Sequence, residues 1–174
     1  AGQHTDTIRV IKQINSNQLV SAGDDNKIVV WNINSMTHVC TFESSSAETS
    51  IGHGHTGGIR AIETTNDGFL ISLDSNRNII TWLASSRIIS SKIANAHSST
   101  INSIKLITDD HLASGGDDQI LKIWNWRTFS LENSFNLGSV ITSLGSTDSN
   151  NILIVGLESG VCYCFFFIYF YFKI

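Results

Sequence analysis

At 174 residues, the chain is long enough to bury one core. Charged residues make up 15%, the net charge is −4 and no Lys/Arg cluster stands out, which excludes the basic stripe of a nucleic-acid surface and a polybasic membrane patch. Proline is absent, so reversals must rest on glycine and on Asn, Asp and Ser side chains, while the three cysteines (Cys40, Cys162, Cys164) lack framework spacing and fit reduced thiols in an intracellular, cytoplasmic or nuclear, setting.

The first predicted unit opens at His4, followed by Ile8 and Ile11. The second opens at His55 with Ile59 and Ile62, and the third at His97 with Ile101 and Ile104. In each, a Trp lies 27 residues beyond the His: Trp31, Trp82 and Trp124. Ser21, Ser72 and Ser114 stand 10 residues before that Trp, and Asp25, Asn76 and Asp118 stand 6 before it. Four matched positions repeated three times mark an internal repeat. The two offsets are 51 and 42 residues, and the difference falls in the Ser-rich stretch from Glu43 to Gly54, which reads as an exposed loop insertion.

Within the third copy, Ile101–Ile107, His111–Ser114, Ile120–Trp124 and Arg127–Phe135 are expected as strands, with a turn at Asp109-Asp110 and a hairpin at Gly116–Gln119. Their apolar runs suit sheets buried on both faces. Gly23 and Gly115-Gly116 are expected to relax the backbone before the hairpins, and no helix follows them to make a phosphate cradle. A decayed fourth copy spans Val155–Phe165, with Phe165 in the Trp place and Ser159 in the Asp place. The His is lost near Leu137 or Gly138.

From Val161 to Phe172 the chain carries no polar side chain except Tyr hydroxyls and Cys thiols, and it holds all three tyrosines. The run is too short for a membrane helix, which needs about 20 apolar residues. It reads either as the closing strands of the last unit or as read-through of non-coding AT-rich sequence, the latter preferred. The pair Cys162 and Cys164 is expected to pack in the core.

A period near 42, four strands per unit and the endings Trp31-Asn32 and Trp124-Asn125 resemble the WD-repeat β-propeller family. Residues 21–32 and 114–125 carry the most specific part of that resemblance. The Gly-His opening stands at Gly54-His55 and is relaxed at Gln3-His4 and Ala96-His97. The resemblance implies an all-β chain of four WD-repeat blades, each an antiparallel four-stranded sheet, as an open arc or fragment of a larger propeller. The repeats run about 2–43, 54–94, 96–135 and 136–166, in a single segment with an atypical tail at 161–174.

The resemblance also implies a hydrogen-bonded tetrad in each blade: His4, Ser21, Asp25 and Trp31; His55, Ser72, Asn76 and Trp82; His97, Ser114, Asp118 and Trp124. Asn76 would accept without charge, leaving the second blade looser. Partners would dock on the face bearing the turn before the third strand and the start of the first. Carried over by position, that face presents Thr7, Arg9, Asp24, Arg60, Ser75, Asn102, Asp117, Thr142 and Glu158. Arg9 and Arg60 stand out because Arg is enriched at interface hot spots, against the plainer reading of solvated residues paired with Asp24 or Asp117.

A hydrolase reading of the Ser, His and Asp set is poor, since an active site has no reason to recur in tandem. His53-Gly54-His55 makes an incomplete metal site, and the Asp pairs do not fit a calcium cage. The function expected is therefore a non-catalytic protein-interaction scaffold without cofactor or metal. It would bind proteins or peptides, or associate with itself through open blade edges. The alternative is a targeting or regulatory module of a longer enzyme, or a membrane-tethered adaptor.

Overall fold

The strands begin where Ile, Val and Leu runs begin and stop where Asn, Asp, Ser and Gly cluster, as the turn chemistry requires. The structure, a computed structural model, describes residues 3–42, 54–147, 152–168 and 171–173. Among them every regular element is a β-strand. Blade 1 is β1 (Ile8–Asn15), β2 (Gln18–Gly23), β3 (Ile28–Asn32) and β4 (Thr37–Phe42). Blade 2 is β5 (Ile59–Thr64), β6 (Phe69–Asp74), β7 (Ile79–Leu83) and β8 (Ile88–Ile93). Blade 3 is β9 (Ile101–Leu106), β10 (His111–Gly116), β11 (Ile120–Asn125) and β12 (Ser130–Asn136). Blade 4 is β13 (Ile141–Ser146), β14 (Ile152–Leu157), β15 (Cys162–Ile168) and β16 (Tyr171–Lys173). Each is an antiparallel sheet paired in sequence order. The inserted loop, apart from Gly54, lies outside the described residues.

The chain forms two compact units, Ala1–Ala96 and His97–Ile174. In the first, Val20, Ala22, Ile28, Val30 and Phe42 of blade 1 make one core with Ile62, Leu70, Ile80 and Trp82 of blade 2. Phe42 meets Trp82 edge-on at a centroid distance of 5.5 Å, a favoured aromatic geometry. In the second unit, Ala113, Leu121 and Ile123 of blade 3 pack with Leu153, Val155 and Phe165 of blade 4. Cross-strand pairing shows which sides meet. Ile62, Ser72 and Ile80 are direct partners and share one face, which we call the tetrad face. Val20, Val30 and Cys40 are partners on the opposite, rear face of blade 1. Blade 1 thus lays its rear face on the tetrad face of blade 2, and blade 3 does the same to blade 4.

Three details depart from the sequence reading. The left-handed residues of the β2–β3-type hairpins are Asn26, Arg77, Gln119 and Gly160, with φ of 63°, 66°, 65° and 82°. Gly23 and Gly116 instead serve close approach: a Cβ on either would lie 1.9 Å from the carbonyl oxygen of Thr7 or Thr100. The outer strand of blade 3 starts at Ser130, not Arg127, because the Asn125 side chain accepts from the Arg127 and Thr128 amides and holds a turn there. Finally, the aromatic run forms β15 and β16, the closing strands that were one of its two readings, with Phe165 buried in the core; the departure lies in its cysteines. Cys162 and Cys164 do not pack in the core; both are exposed, because they alternate onto the rear face of blade 4 while Phe165 points the other way.

Candidate functional site

The tetrads come from four fixed places: the chain entering the first strand, the middle of the second strand, the turn after it, and the third strand. In blade 1 the Trp31 indole N–H donates to Ser21 Oγ at 2.7 Å, Ser21 Oγ meets His4 Nε2 at 2.7 Å, and His4 Nδ1 meets Asp25 Oδ2 at 2.8 Å. Blade 3 repeats the arrangement with Trp124, Ser114, His97 and Asp118 at 2.8, 2.6 and 2.9 Å. In blades 1 and 3 the carboxylate also accepts from the backbone amides of Thr5 and Ser98, so one acid holds both the ring and the chain entering the sheet.

Blade 2 corrects the sequence reading. Its acid is Asp74, not Asn76. Asp74 Oδ2 lies 2.9 Å from His55 Nδ1, and Ser72 and Trp82 complete the chain at 2.6 and 2.8 Å. Asp74 occupies the place of Gly23 and Gly116, so its carboxylate reaches the ring from the end of the strand instead of from the turn. Asn76 turns outward and donates to Thr56 Oγ1. The space it uses is the space of Gly57: a Cβ there would lie 2.5 Å from Ser75 Oγ and 2.9 Å from Asn76 Cγ. The displaced acid is fully held, since Asn78 donates to it through both backbone and side chain. Far from being loosest, this tetrad is the most deeply buried.

The proton arrangement follows from the donors. An indole N–H can only donate and a carboxylate only accept. Burial pushes the His55 and His97 rings below the ordinary histidine range, against the pull of Asp74 and Asp118, so both rings are neutral. Each then donates from Nδ1–H to its Asp and accepts at Nε2 from its Ser, whose oxygen accepts from its Trp. Burial alone would raise Asp74 and Asp118, but hydrogen bonds from His55 and Asn78, and from His97 and the Ile120 and Ser98 amides, hold them below the usual carboxylate range. Every polar atom of these chains is satisfied, which is what makes their burial tolerable. The serine oxygens lie sealed within the sheet and are consumed by the indoles, so the triad-like set presents no nucleophile.

Blade 4 has no such chain. Val155 stands at the Ser place and Phe165 fills the indole position, replacing a polar network by apolar packing. Ser159 is held by its backbone amide, which donates to Ser139 Oγ at 3.3 Å.

The loop face of the first unit gathers five of the docking candidates. Arg9 donates through Nε and Nη2 to Asp24 Oδ2 at 2.8 and 2.5 Å. That pairing holds Asp24 below the ordinary carboxylate range, assisted by the charge of Arg60. Asp24 reaches over the start of blade 2, where a Cβ on Gly58 would come within 2.6 Å of its Oδ1. Arg60 itself is exposed, and among the described residues its guanidinium makes no hydrogen bond; Ser75 stands where an acid partner would be. Thr7 is exposed beside them. On the second unit, Asn102 Nδ2 donates to Asp117 Oδ1 at 2.8 Å and to the Ile141 carbonyl at 3.0 Å, so the same two positions tie blade 3 to blade 4. Thr142 Oγ1 donates to the Gly156 carbonyl, and the Glu158 side chain is exposed. Trp126 is buried, its N–H donating to the Asp109 carbonyl and its ring covered by Arg127 at 4.4 Å. Among the described residues no group of three or more His, Cys, Asp or Glu side chains converges on a metal position, and His53 lies outside them.

Four four-stranded antiparallel sheets, three of them stitched by His, Ser, Asp and Trp chains, define a β-propeller repeat protein. The comparisons agree. The family model "WD domain, G-beta repeat" matches residues 2–32 and 89–125. The WD40 β-propeller domain of Doa1 superposes with a TM-score of 0.78 at 22% identity, over 92% of this chain and 51% of that one. A probable cytosolic Fe-S cluster assembly factor of Schizosaccharomyces pombe is 28% identical across 71% of this chain and 24% of its own length. The U3 small nucleolar RNA-associated protein 12 of Saccharomyces cerevisiae is 33% identical across 79% of this chain and 13% of its own length. The WD repeat domain-containing protein 83 homolog of Dictyostelium discoideum is 25% identical across 74% and 37%. The chain belongs to the WD-repeat β-propeller family. It spans well under half the length of each of these curated relatives.

Proposed function

We propose that this chain is a protein-interaction scaffold whose docking surface on the first unit is the loop face around Arg60, Asp24, Thr7 and Ser75. The observation that carries this reading is the contrast between Arg9 and Arg60. Arg9 is tied to Asp24, whereas Arg60 projects beside the same carboxylate with its donors unspent. An Arg fork next to a pre-positioned acid offers a partner two complementary handles on a rigid base. The tetrads beneath are fully consumed internally, so their role is to hold these turns. The setting is intracellular, supported by the cytosolic and nucleolar terms in the relatives' names. A second reading, a module within a longer protein, is favoured by the small share of each relative that the chain spans.

The test is site-specific photo-crosslinking in cells, with benzoylphenylalanine placed at the exposed Thr7 beside Arg60 or, as control, at Ser86 in the β7–β8 turn. Adducts at 7 that vanish with Arg60→Ala and are absent at 86 support the docking face. Equal labelling at both positions, or none at 7, sinks it.

A further inference from the structure

Within the first unit, blades 1 and 2 part at the end opposite the loop face, where the β1–β2, β5–β6 and β7–β8 turns lie. They leave a groove of about 550 Å³, inside the range of about 300–1,000 Å³ usual for ligand sites. Blade 1 supplies Val30, Val39 and Cys40 to one wall, and the end of β7 with the residue after it supplies Leu83 and Ala84 to the other. Val39 and Cys40 are neighbours in the chain yet both line the groove, because Val39 forms a bulge: Val30 pairs with Cys40 and Trp31 with His38, which leaves Val39 over. Val39 is 45% exposed. The same bulge recurs in blades 2 and 3, but there it carries polar residues. Blade 2 has Ser90 beside Ser91, and blade 3 has Glu132 beside Asn133, with Glu132 Oε2 at 2.9 Å from His111 Nε2. Of these three blades, blade 1 is the one whose bulge is apolar and open to solvent.

A charge with nothing to pair stands over this apolar wall. Arg87 holds the left-handed place of the β7–β8 turn, with φ of 61°, where blades 1 and 3 have Met36 and Phe129. Its guanidinium lies close enough to the Cys40 thiol to oppose the upward push of burial there. Among the described residues it makes no hydrogen bond or ion pair. Asp67, the other charged side chain of the lining, already accepts from Thr65 Oγ1 at 2.5 Å. We propose that this groove is a second docking site, separate from the loop face, for an extended segment of a partner protein that carries an aliphatic residue beside a single acid. The aliphatic side chain rests on Val30, Val39 and Cys40, and the carboxylate is forked by Arg87. Asn15 and Gln18 stand at the rim with side-chain amides able to pair with the segment's main chain. Asp67 repels a second carboxylate, so the segment recognised is not an acidic run.

The test pans random peptides displayed on phage against the whole chain, immobilised through its N-terminus. Selected sequences are expected to share Leu, Ile or Val next to one Asp or Glu. The native cysteines give the footprint: a selected peptide, made synthetically, should slow alkylation of Cys40 by iodoacetamide and leave the exposed Cys162 and Cys164 unchanged. Arg87→Glu should weaken its binding by about tenfold or more. Arg60→Ala should leave it unchanged, which keeps this site distinct from the loop face. Ser86 adjoins Arg87, so a cellular crosslink at 86 that survives Arg60→Ala comes from the groove and not from the loop-face partner. Selected peptides that lack an acid, that carry acidic runs or that leave Cys40 unprotected overturn the proposal, as does a library that yields no binder. Protection of Cys40 on raising the chain's own concentration, without peptide, would assign the groove to a second copy and overturn it as well.

Discussion

Asp74 Oδ2 stands 2.9 Å from His55 Nδ1 although Asp74 occupies the position that is glycine in blades 1 and 3. The acid of this blade has moved two residues upstream along the chain without leaving the ring. Removing it leaves a buried imidazole N–H and the Asn78 donors unpaired. Asp74→Ala is expected to cost about 3 kcal/mol or more, and Asn76→Ala less than about 0.5 kcal/mol. Urea unfolding of the two variants checks this. The double variant Asp74→Gly with Asn76→Asp rebuilds the geometry of blades 1 and 3 and should recover much of the loss.

The neutral His55 and His97 rings give stability a pH dependence of definite sign. Their pKa values are lower in the folded chain than the ordinary value of about 6.5, so the unfolded chain binds more protons below that pH. Their contribution is complete above about pH 6.5 and declines as pH falls towards the folded-state values. Asp74 and Asp118, also lowered, add a second loss as pH falls below about 4 through their folded-state values. The urea midpoint should fall from pH 7.5 to pH 5.5. A midpoint that is flat or rises over that interval would contradict neutral buried rings.

Gly23 and Gly116 should tolerate no side chain, since each Cβ would enter a backbone carbonyl. Gly116→Ala is expected to cost about 1–3 kcal/mol or more, because the obstacle is main chain and cannot swing away. Gly145→Ala, where a Cβ meets nothing within 4 Å, is the matched control and should shift the thermal midpoint little. Equal effects at the two positions would argue against close approach as the reason for glycine.

Arg9→Ala and Arg60→Ala remove exposed charges and should leave the unfolding midpoint unchanged within error. Their effects on partner capture should differ. Arg60→Ala removes a handle outright, whereas Arg9→Ala acts by freeing Asp24. Binding that survives Arg60→Ala at full strength would move the docking surface elsewhere.

The blades were legible because their spacing is rigid. The distance from His to Ser to Trp is set by strand length and cannot drift without breaking the ladder, so His4, Ser21, Trp31 and their copies could be placed from numbers alone. The acid was less legible because a turn residue and a strand-end residue can reach the same nitrogen. Asp74 did leave a signal: an acid breaks the glycine pattern in the one copy whose turn lacks one, and two glycines appear opposite. The exposure of Cys162 and Cys164 was beyond local pattern, since the side of a strand that is covered depends on which sheet lies over it. The choice between Arg9 and Arg60 needed coordinates too, because only geometry shows which guanidinium Asp24 holds.

All four indole N–H groups of the chain are engaged, three by a tetrad serine and the Trp126 group by the Asp109 carbonyl. The protein therefore carries built-in reporters, one in each of blades 1 and 2 and two in blade 3. Their indole proton resonances would let solvent exchange be timed blade by blade. The half-buried Trp31 should surrender its proton first and the buried Trp82 later, turning the order of opening into something a spectrometer can watch without a label.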